Sequence, residues 1–382
     1  NGSTLTYDIV TKKVIVQSNK SDKCYVYFDK EYIEPVINSI TESDVTASEI
    51  TITANATAGT NAIKTYYYSK DNGGSYVTST SNIYIFSGLS EGTAHNIKVK
   101  VEDIGSKFSV ISSKTVTTTK GIFAEYLKNK YSSLGMDYHN GLANGANDGS
   151  YRFSGAKPNN YVCFGPGATA AGTVCPEDNK YRIIGIFGNQ VKLIKNTNIG
   201  NKEWNSTREN TWSTSTLNTY LNGEYLNSLT STWSNKIASN TWQVGGMTID
   251  NGIKVVPATA YNYELGLNKA NVTFNGKIGL IYVSDYVFAA QPQAWTLKLG
   301  GYNDKVNDYT NPIAKDNNWL VIGNWEWTMS RVSDISTAAF SVNSIVGRPI
   351  VSSSFIVRTV FYLQSSVNLI GGNGTRNDPY RV

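Results

Sequence analysis

Charge is scarce in this chain of 382 residues. Asp, Glu, Lys and Arg together make up 16%, against about 25% in an average soluble domain. With 40% of residues hydrophobic, that scarcity excludes a disordered polyelectrolyte. Methionine and cysteine occur three times each and histidine twice. His95 falls in an expected strand and His139 in an expected solvated loop, so neither a His-Glu-x-x-His helix nor a three-His zinc site can form. No run of about 18 apolar residues occurs, so no membrane-spanning helix is expected. The opening Asn1-Gly2-Ser3-Thr4 has no basic stretch followed by an apolar one, and any signal peptide or wall anchor is expected outside this sequence. The formal net charge is +5, but residues 1–120 carry as many acidic as basic side chains, and no Lys/Arg cluster stands out elsewhere. A nucleic-acid partner is therefore not expected.

What is present is aromatic: 25 Tyr, 12 Phe and eight Trp, with all the Trp between Trp204 and Trp327. Such a chain can bury a sizeable core and is long enough for two or three domains. A polar surface of Ser, Thr, Asn, Gly and Tyr suits a secreted or cell-surface β-rich protein. Cys163 and Cys175 flank a Gly/Ala-rich loop, where a disulfide would contribute roughly 2–3 kcal/mol; the alternative is two buried thiols. Cys24 has no evident partner.

Residues 1–33 read as short strands, Thr4 to Ile9, Lys13 to Gln17 and Cys24 to Phe28, too few to bury a core of their own. They are expected to end a preceding module or to dock on the next domain. Residues 34–119 alternate apolar and polar with period two, as in Glu49 to Ala54, Ile63 to Ser69, Ile83 to Phe86, His95 to Val101 and Ser109 to Ser112, which predicts a sandwich of about seven strands. Within them, Leu89-Ser90-Glu91-Gly92-Thr93-Ala94-His95-Asn96-Ile97-Lys98-Val99 resembles the Leu-x-x-Gly-Thr-x-Tyr-x-Ile-x-Val signature of fibronectin type III domains, with His95 where that family has Tyr. The pattern Gly88-Leu89-Ser90-Glu91-Gly92 also matches a hydrolase nucleophile elbow. It precedes a strand rather than a helix and reads as a turn.

Residues 120–382 open with a helix through Phe123, Tyr126, Leu127 and Tyr131, stopped at Gly135. A polar loop, a strand at Tyr161 to Phe164 and a hairpin Tyr181 to Lys195 turning on Gly188-Asn189 come next. Helices are expected around Leu217 to Tyr225 and Trp233 to Ile237. Later strands are expected at Lys277 to Val283, Trp319 to Ile322, Ala339 to Asn343 and Phe355 to Leu363, with a short helix at Ser284 to Ala290. The pieces Tyr181-Arg182-Ile183-Ile184-Gly185, Trp212 to Asn222, Lys277 to Tyr286, Gly323-Asn324-Trp325-Glu326-Trp327-Thr328, Arg358 to Leu363 and Gly371 to Thr375 resemble, in their order, the C-type-lectin-like domains of bacterial surface proteins. The Gly-Asn-Trp-Glu-Trp-Thr piece is similar to the Gly-Asn-Val-Trp-Glu-Trp signature of the formylglycine-generating-enzyme branch. The expected fold class is thus multidomain: an all-β fibronectin III/Ig-like sandwich followed by an α+β C-type-lectin-like domain.

That resemblance implies structural roles for Trp325, Trp327 and Arg358; Thr359 stands where related domains have Pro. The enzymes of the branch need cysteines near the C-terminal end, and none follows Cys175, so their oxidase chemistry is not carried over. There remains a binding scaffold, as in phage receptor-binding proteins and the variable proteins of diversity-generating retroelements. The matching ligand surface runs from Arg331 to Val357, with Phe340, Ser341, Asn343, Ile345, Arg348, Ile350, Ser352 and Ser354 as the residues expected to face a ligand. Glu326, between two Trp, is the acid expected in an apolar setting, more simply as a fold-locking hydrogen bond than as a general acid. No metal or other cofactor is expected, apart from calcium at Asn144, Asn147 and Asp148, or at Asn303, Asp304, Asn307 and Asp308. The sequence thus points to a non-enzymatic bacterial adhesion protein with a C-terminal head for a host or bacterial surface glycan or protein. The alternatives are a glycan-active enzyme, a pilus or wall subunit that donates residues 1–33, or a phage-type receptor-binding protein.

Overall fold

The computed structural model describes residues 4–17, 31–167, 173–266, 272–300 and 308–382. It is mostly β-sheet with few, short helices, and no described helix is long and apolar enough to cross a membrane. The chain divides into two compact units, residues 1–41, 53–83 and 97–114 in one and residues 42–52, 84–96 and 115–382 in the other.

Strands β1 (Thr4–Asp8) and β2 (Lys13–Gln17) form an antiparallel hairpin. Its turn is held by Asp8 Oδ1, which accepts from the amides of Val10 and Thr11. The expected strand Cys24 to Phe28 lies outside the described residues. Seven strands come next: β3 (Val36–Ser43), β4 (Ile50–Thr57), β5 (Ile63–Ser69), β6 (Val77–Ser79), β7 (Ile83–Phe86), β8 (Ala94–Asp103) and β9 (Ser112–Thr117). They make a sheet β3-β4-β7 and a sheet β6-β5-β8-β9, the three-plus-four division of an Ig-like sandwich. Burial alternates along β4 and β8, so each strand turns one face inward: Ile50, Ile52 and Ala54 are buried on β4, and Ile97, Val99 and Val101 on β8. The last strand begins at Ser112 rather than at Ser109, whose hydroxyl accepts from the Val101 amide instead. Gly88 and Gly92 both hold positive φ, and β8 comes directly after, so Ser90 sits in a turn with no helix behind it.

From Phe123 the helix expected at the domain boundary runs only to Asn129. The main sheet of this unit takes β10 (Met136–Tyr138), β11 (Tyr151–Phe153), β12 (Tyr161–Cys163), β13 (Lys180–Phe187) and β14 (Gln190–Lys195). Its order is β10-β11-β13-β14, then Val360–Tyr362, then Ile278–Gly279, with β12 paired to β13 and to Tyr380–Arg381. A second sheet joins Asn201–Glu203, Ser354–Ile356, Glu326–Arg331, Ala339–Asn343 and Ile345–Gly347 in that order. Cys163 and Cys175 are joined in a disulfide with Cα atoms 5.9 Å apart. Trp204, Trp242, Trp295, Trp319 and Trp327 are buried, and each indole donates to a main-chain carbonyl, those of Thr328, Gly276, Ala290, Phe153 and Lys202 respectively. Four of these carbonyls, those of Thr328, Gly276, Phe153 and Lys202, belong to strand residues, so the indoles tie strand backbone into the core and leave no buried ring N–H of theirs unsatisfied.

Candidate functional site

The main sheet sets a row of side chains across four strands. Arg152 on β11 stands opposite Gly185 on β13, Gly185 opposite Lys192 on β14, and Lys192 opposite Tyr362. Gly185 is what makes the row possible. A Cβ there would come within 2.4 Å of the Tyr151 carbonyl oxygen and press on the Arg152 side chain. A bulge between Ile183 and Gly185 sets the register. The row brings two cations side by side in a nearly dry place, for Arg152 is 2% and Lys192 1% exposed.

Their counter-charges come from elsewhere in the chain. Asp285 lies in the first turn of helix Val283–Phe288. Its Oδ2 is 2.5 Å from Lys192 Nζ and also accepts from the Tyr282 amide at 2.9 Å, while Oδ1 is 3.6 Å from Arg152 Nη1. Asp148 takes Arg152 Nη2 at 2.7 Å and the Tyr261 hydroxyl at 2.8 Å. Burial alone would lower the pKa of Arg152, but Asp148 and Asp285 outweigh it and raise it. Burial opposes the charge on Asp148 too, yet Arg152 and the Ser150 hydrogen bonds hold it down at about 2. For Lys192 burial wins over Asp285 and the pKa is lowered. Glu264, from helix Pro257–Glu264, accepts from the Val283 and Ser284 amides and from the Ser330 hydroxyl. Burial, reinforced by Asp285 and only partly offset by those donors, pushes it up to about 7.

These groups surround a cavity of about 220 Å³. Its walls are aromatic: Phe187, Tyr261, Tyr282 and Tyr362, with Thr241 and Gln243 on the same lining. The Arg152 guanidinium lies 4.6 Å from the Phe187 ring centre and 5.3 Å from that of Tyr261. Arg152 Nη1 is buried and has no hydrogen-bond partner. Sequence reasoning singled out Asp148, but as a calcium ligand, and missed Arg152, Lys192, Glu264 and Asp285. The available signal was single charges set in apolar runs: Arg152 between Tyr151 and Phe153, Lys192 between Val191 and Leu193, and Asp285 in Tyr282 to Phe288.

The residues expected to face a ligand between Arg331 and Val357 do not form one surface. Phe340 and Ser341 are fully buried. Phe340 packs so closely on Gly252 that a Cβ there would meet its ring at 2.3 Å, which makes it a core residue and corrects the expectation. Asn343, Ile345 and Ser352 are half-buried, and Arg348, Ile350 and Ser354 are exposed. Trp327 is buried and Trp325 half-buried against Phe355. Arg358 grips Glu326 with two hydrogen bonds, 2.9 and 2.6 Å, and donates to the Leu320 carbonyl. His139 is not a solvated loop residue. It is fully buried between Phe288 and Trp295, its Nδ1 accepts from the Ala146 amide, and burial with Arg152 nearby holds its pKa down to about 3. The first expected calcium loop does not converge on a cation: Asp148 serves Arg152, Ser150 and Tyr261, and Asn147 Oδ1 accepts from the Gly141 amide. In the second, Asn303, Asp304 and Asn307 lie outside the described residues, and Asp308 is engaged by Thr310. Among the described residues no group of three or more His, Cys, Asp or Glu gathers as a metal site.

Comparison with known proteins reaches only parts of the chain. No curated protein matches it. Among solved structures, it is similar to the PKD1 domain of Vibrio anguillarum Epp, at 14% identity over 23% of this chain and 96% of that one, with a TM-score of 0.20. It is similar to the PKD1 domain of the Vibrio cholerae metalloprotease PrtV at 16% identity, over 22% and 98%, with a TM-score of 0.19. To a human fourth FNIII domain the figures are 18% identity, 27% and 92%, and 0.20. Residues 188–260 match a family described as a domain of unknown function, DUF6273, a span that takes in Lys192 and stops just short of Tyr261.

Proposed function

We propose that this chain is a non-enzymatic binding protein of a bacterial cell surface. In this reading residues 120–382 are a C-type-lectin-like head, preceded in sequence by an Ig-like spacer, and the head holds one small hydroxylated group of a surface glycan in the cavity beside Lys192. One observation carries the reading: the cavity combines aromatic walls with a buried donor that makes no hydrogen bond, Arg152 Nη1, whose ion-pair partner Asp285 Oδ1 stands 3.6 Å away, the mixture that holds and orients a small polar ligand. The charges inside favour a neutral ligand, because Asp148 and Asp285 already offset Arg152 and Lys192. Two facts speak against hydrolysis. Glu264 is held by three protein donors, and Asp285 by Lys192 and the Tyr282 amide, so neither carboxyl group is left to activate water. The Cys163–Cys175 disulfide supports an oxidising, extracellular location.

The test is a glycan array with the full chain, followed by calorimetry on any hit. Thr241 is an exposed member of the lining, and Thr241→Trp fills the cavity without touching the buried charges. Binding should fall at least about tenfold, a change of about 1.4 kcal/mol, with an unchanged melting curve. Undiminished binding by Thr241→Trp refutes the site, and cleavage of the bound glycan refutes the non-enzymatic reading.

A further inference from the structure

We propose that Lys192 and Asp285 become joined by an intramolecular isopeptide bond, Nζ to Cγ, formed by the folded protein itself. The pair is set up for this by position. Lys192 Nζ lies 2.5 Å from Asp285 Oδ2, so Cγ is at most one C–O bond length further, close to the separation of roughly 3–3.5 Å from which bonds form. The two residues are 93 positions apart, Lys192 paired on both sides within β14 and Asp285 fixed at a helix start by the Tyr282 amide. Rings crowd the nitrogen, and Lys192 is only 1% exposed. The centres of Tyr282, Phe187, Tyr362 and Trp242 lie 4.7, 5.3, 5.3 and 5.8 Å from Nζ. In so dry a place an ammonium and a carboxylate lose hydration, and the neutral amine and carboxylic acid gain relative to them.

The step balances without a co-reactant. A proton passes from the ammonium to Oδ2, which leaves a free amine beside a carboxylic acid. The nitrogen lone pair attacks Cγ, and the carbonyl electrons move onto Oδ1. Arg152 Nη1, 3.6 Å from Oδ1 and without a hydrogen-bond partner, is placed to receive that charge. A second proton moves from nitrogen to Oδ2, the C–Oδ2 bond breaks, and Oδ2 departs as water into the adjoining cavity while the Cγ=Oδ1 bond re-forms. Ammonium and carboxylate become amide and water, and nothing is oxidised or reduced. The product also suits its surroundings. One buried cation and one buried anion disappear together, and Arg152 keeps Asp148 at 2.7 Å as its counter-ion.

The bond is read by mass and needs no ligand, so its failure is separate from failure of the glycan reading. Full-length protein, reduced and denatured, should be lighter than its sequence by the mass of one water. Trypsin should release one branched peptide joining the Lys192 segment to the Asp285 segment. Lys192→Met and Asp285→Ala should each restore the full mass and melt at a lower temperature. Wild-type protein at its full sequence mass overturns the proposal, as does a water lost from a linear peptide. Because the decisive reading is on the wild-type chain, poor folding of either variant does not affect it.

Discussion

Replacing Arg358 by Leu removes the partner of an acid that is only 1% exposed. Arg358 Nε and Nη2 donate to the two oxygens of Glu326, and Nη2 also holds the Leu320 carbonyl. Leaving one member of a buried pair without the other costs about 3–5 kcal/mol. At roughly 2–4 °C per kcal/mol for a unit of 150–250 residues, the melting midpoint should fall by about 6–20 °C. The loss should depend on pH. Burial raises the pKa of Glu326 even with Arg358 beside it, and without Arg358 it rises further. The folded state then keeps a proton that the unfolded chain releases above the ordinary value of 4.5, so the penalty is smallest below that pH and grows as pH rises. Replacing both residues, Glu326→Leu with Arg358→Met, should recover most of the loss, because an apolar pair leaves no charge stranded. Urea titrations followed by tryptophan fluorescence from pH 4 to pH 8 would measure all three proteins. A single variant within about 1 kcal/mol of the parent, the range of an exposed pair, or a double variant no better than the single, would refute the reasoning.

Two further outcomes are expected. Glu264 is fully buried with its pKa pushed from 4.5 up to about 7, so between those values the folded state binds more protons than the unfolded one and stability falls as pH rises, by on the order of 3 kcal/mol; Glu264→Gln should flatten that slope, and an unchanged slope assigns it to another group. The Cys163–Cys175 bridge closes a loop with a separation of 12 residues, worth about 3 kcal/mol, and adding reductant should lower the denaturation midpoint accordingly; an unmoved midpoint means the bridge contributes nothing.

Local signals were legible where backbone and burial followed one simple period. The hairpin of β13 and β14 turns at Gly188-Asn189 as its pattern indicates, with Gly188 at φ 58°, and β4 and β8 alternate as half-buried strands do. The later chain obeys less simple rules. Phe355 to Leu363 reads as one strand but is two, Ser354–Ile356 in one sheet and Val360–Tyr362 in the other, because the chain breaks where Arg358 turns in to Glu326. Trp319 to Ile322 is not a strand, since the Trp319 amide and indole bond to Gly155 and Phe153 carbonyls instead. Glu326–Arg331 was hidden for the opposite reason. Nearly all of it is buried, with Thr328 and Ser330 satisfied internally by Phe340 and Glu264, so no polar face marks it as a strand. The candidate site was illegible as a whole, because its charges are brought together by the register of a sheet, and one-dimensional spacing carries no trace of register.

That register has a practical consequence for anyone dividing the chain into parts. The span matched by the family description, 188–260, contains Lys192 but leaves out Arg152 and Gly185 before it and Tyr261, Glu264, Asp285 and Tyr362 after it. A fragment cut to that span would carry a lysine facing no acid and a strand, β14, with neither of its neighbours, β13 and Val360–Tyr362. The smallest piece that keeps the cavity runs from before Asp148 to beyond Tyr362, so the excised span and the intact unit are different chemical objects.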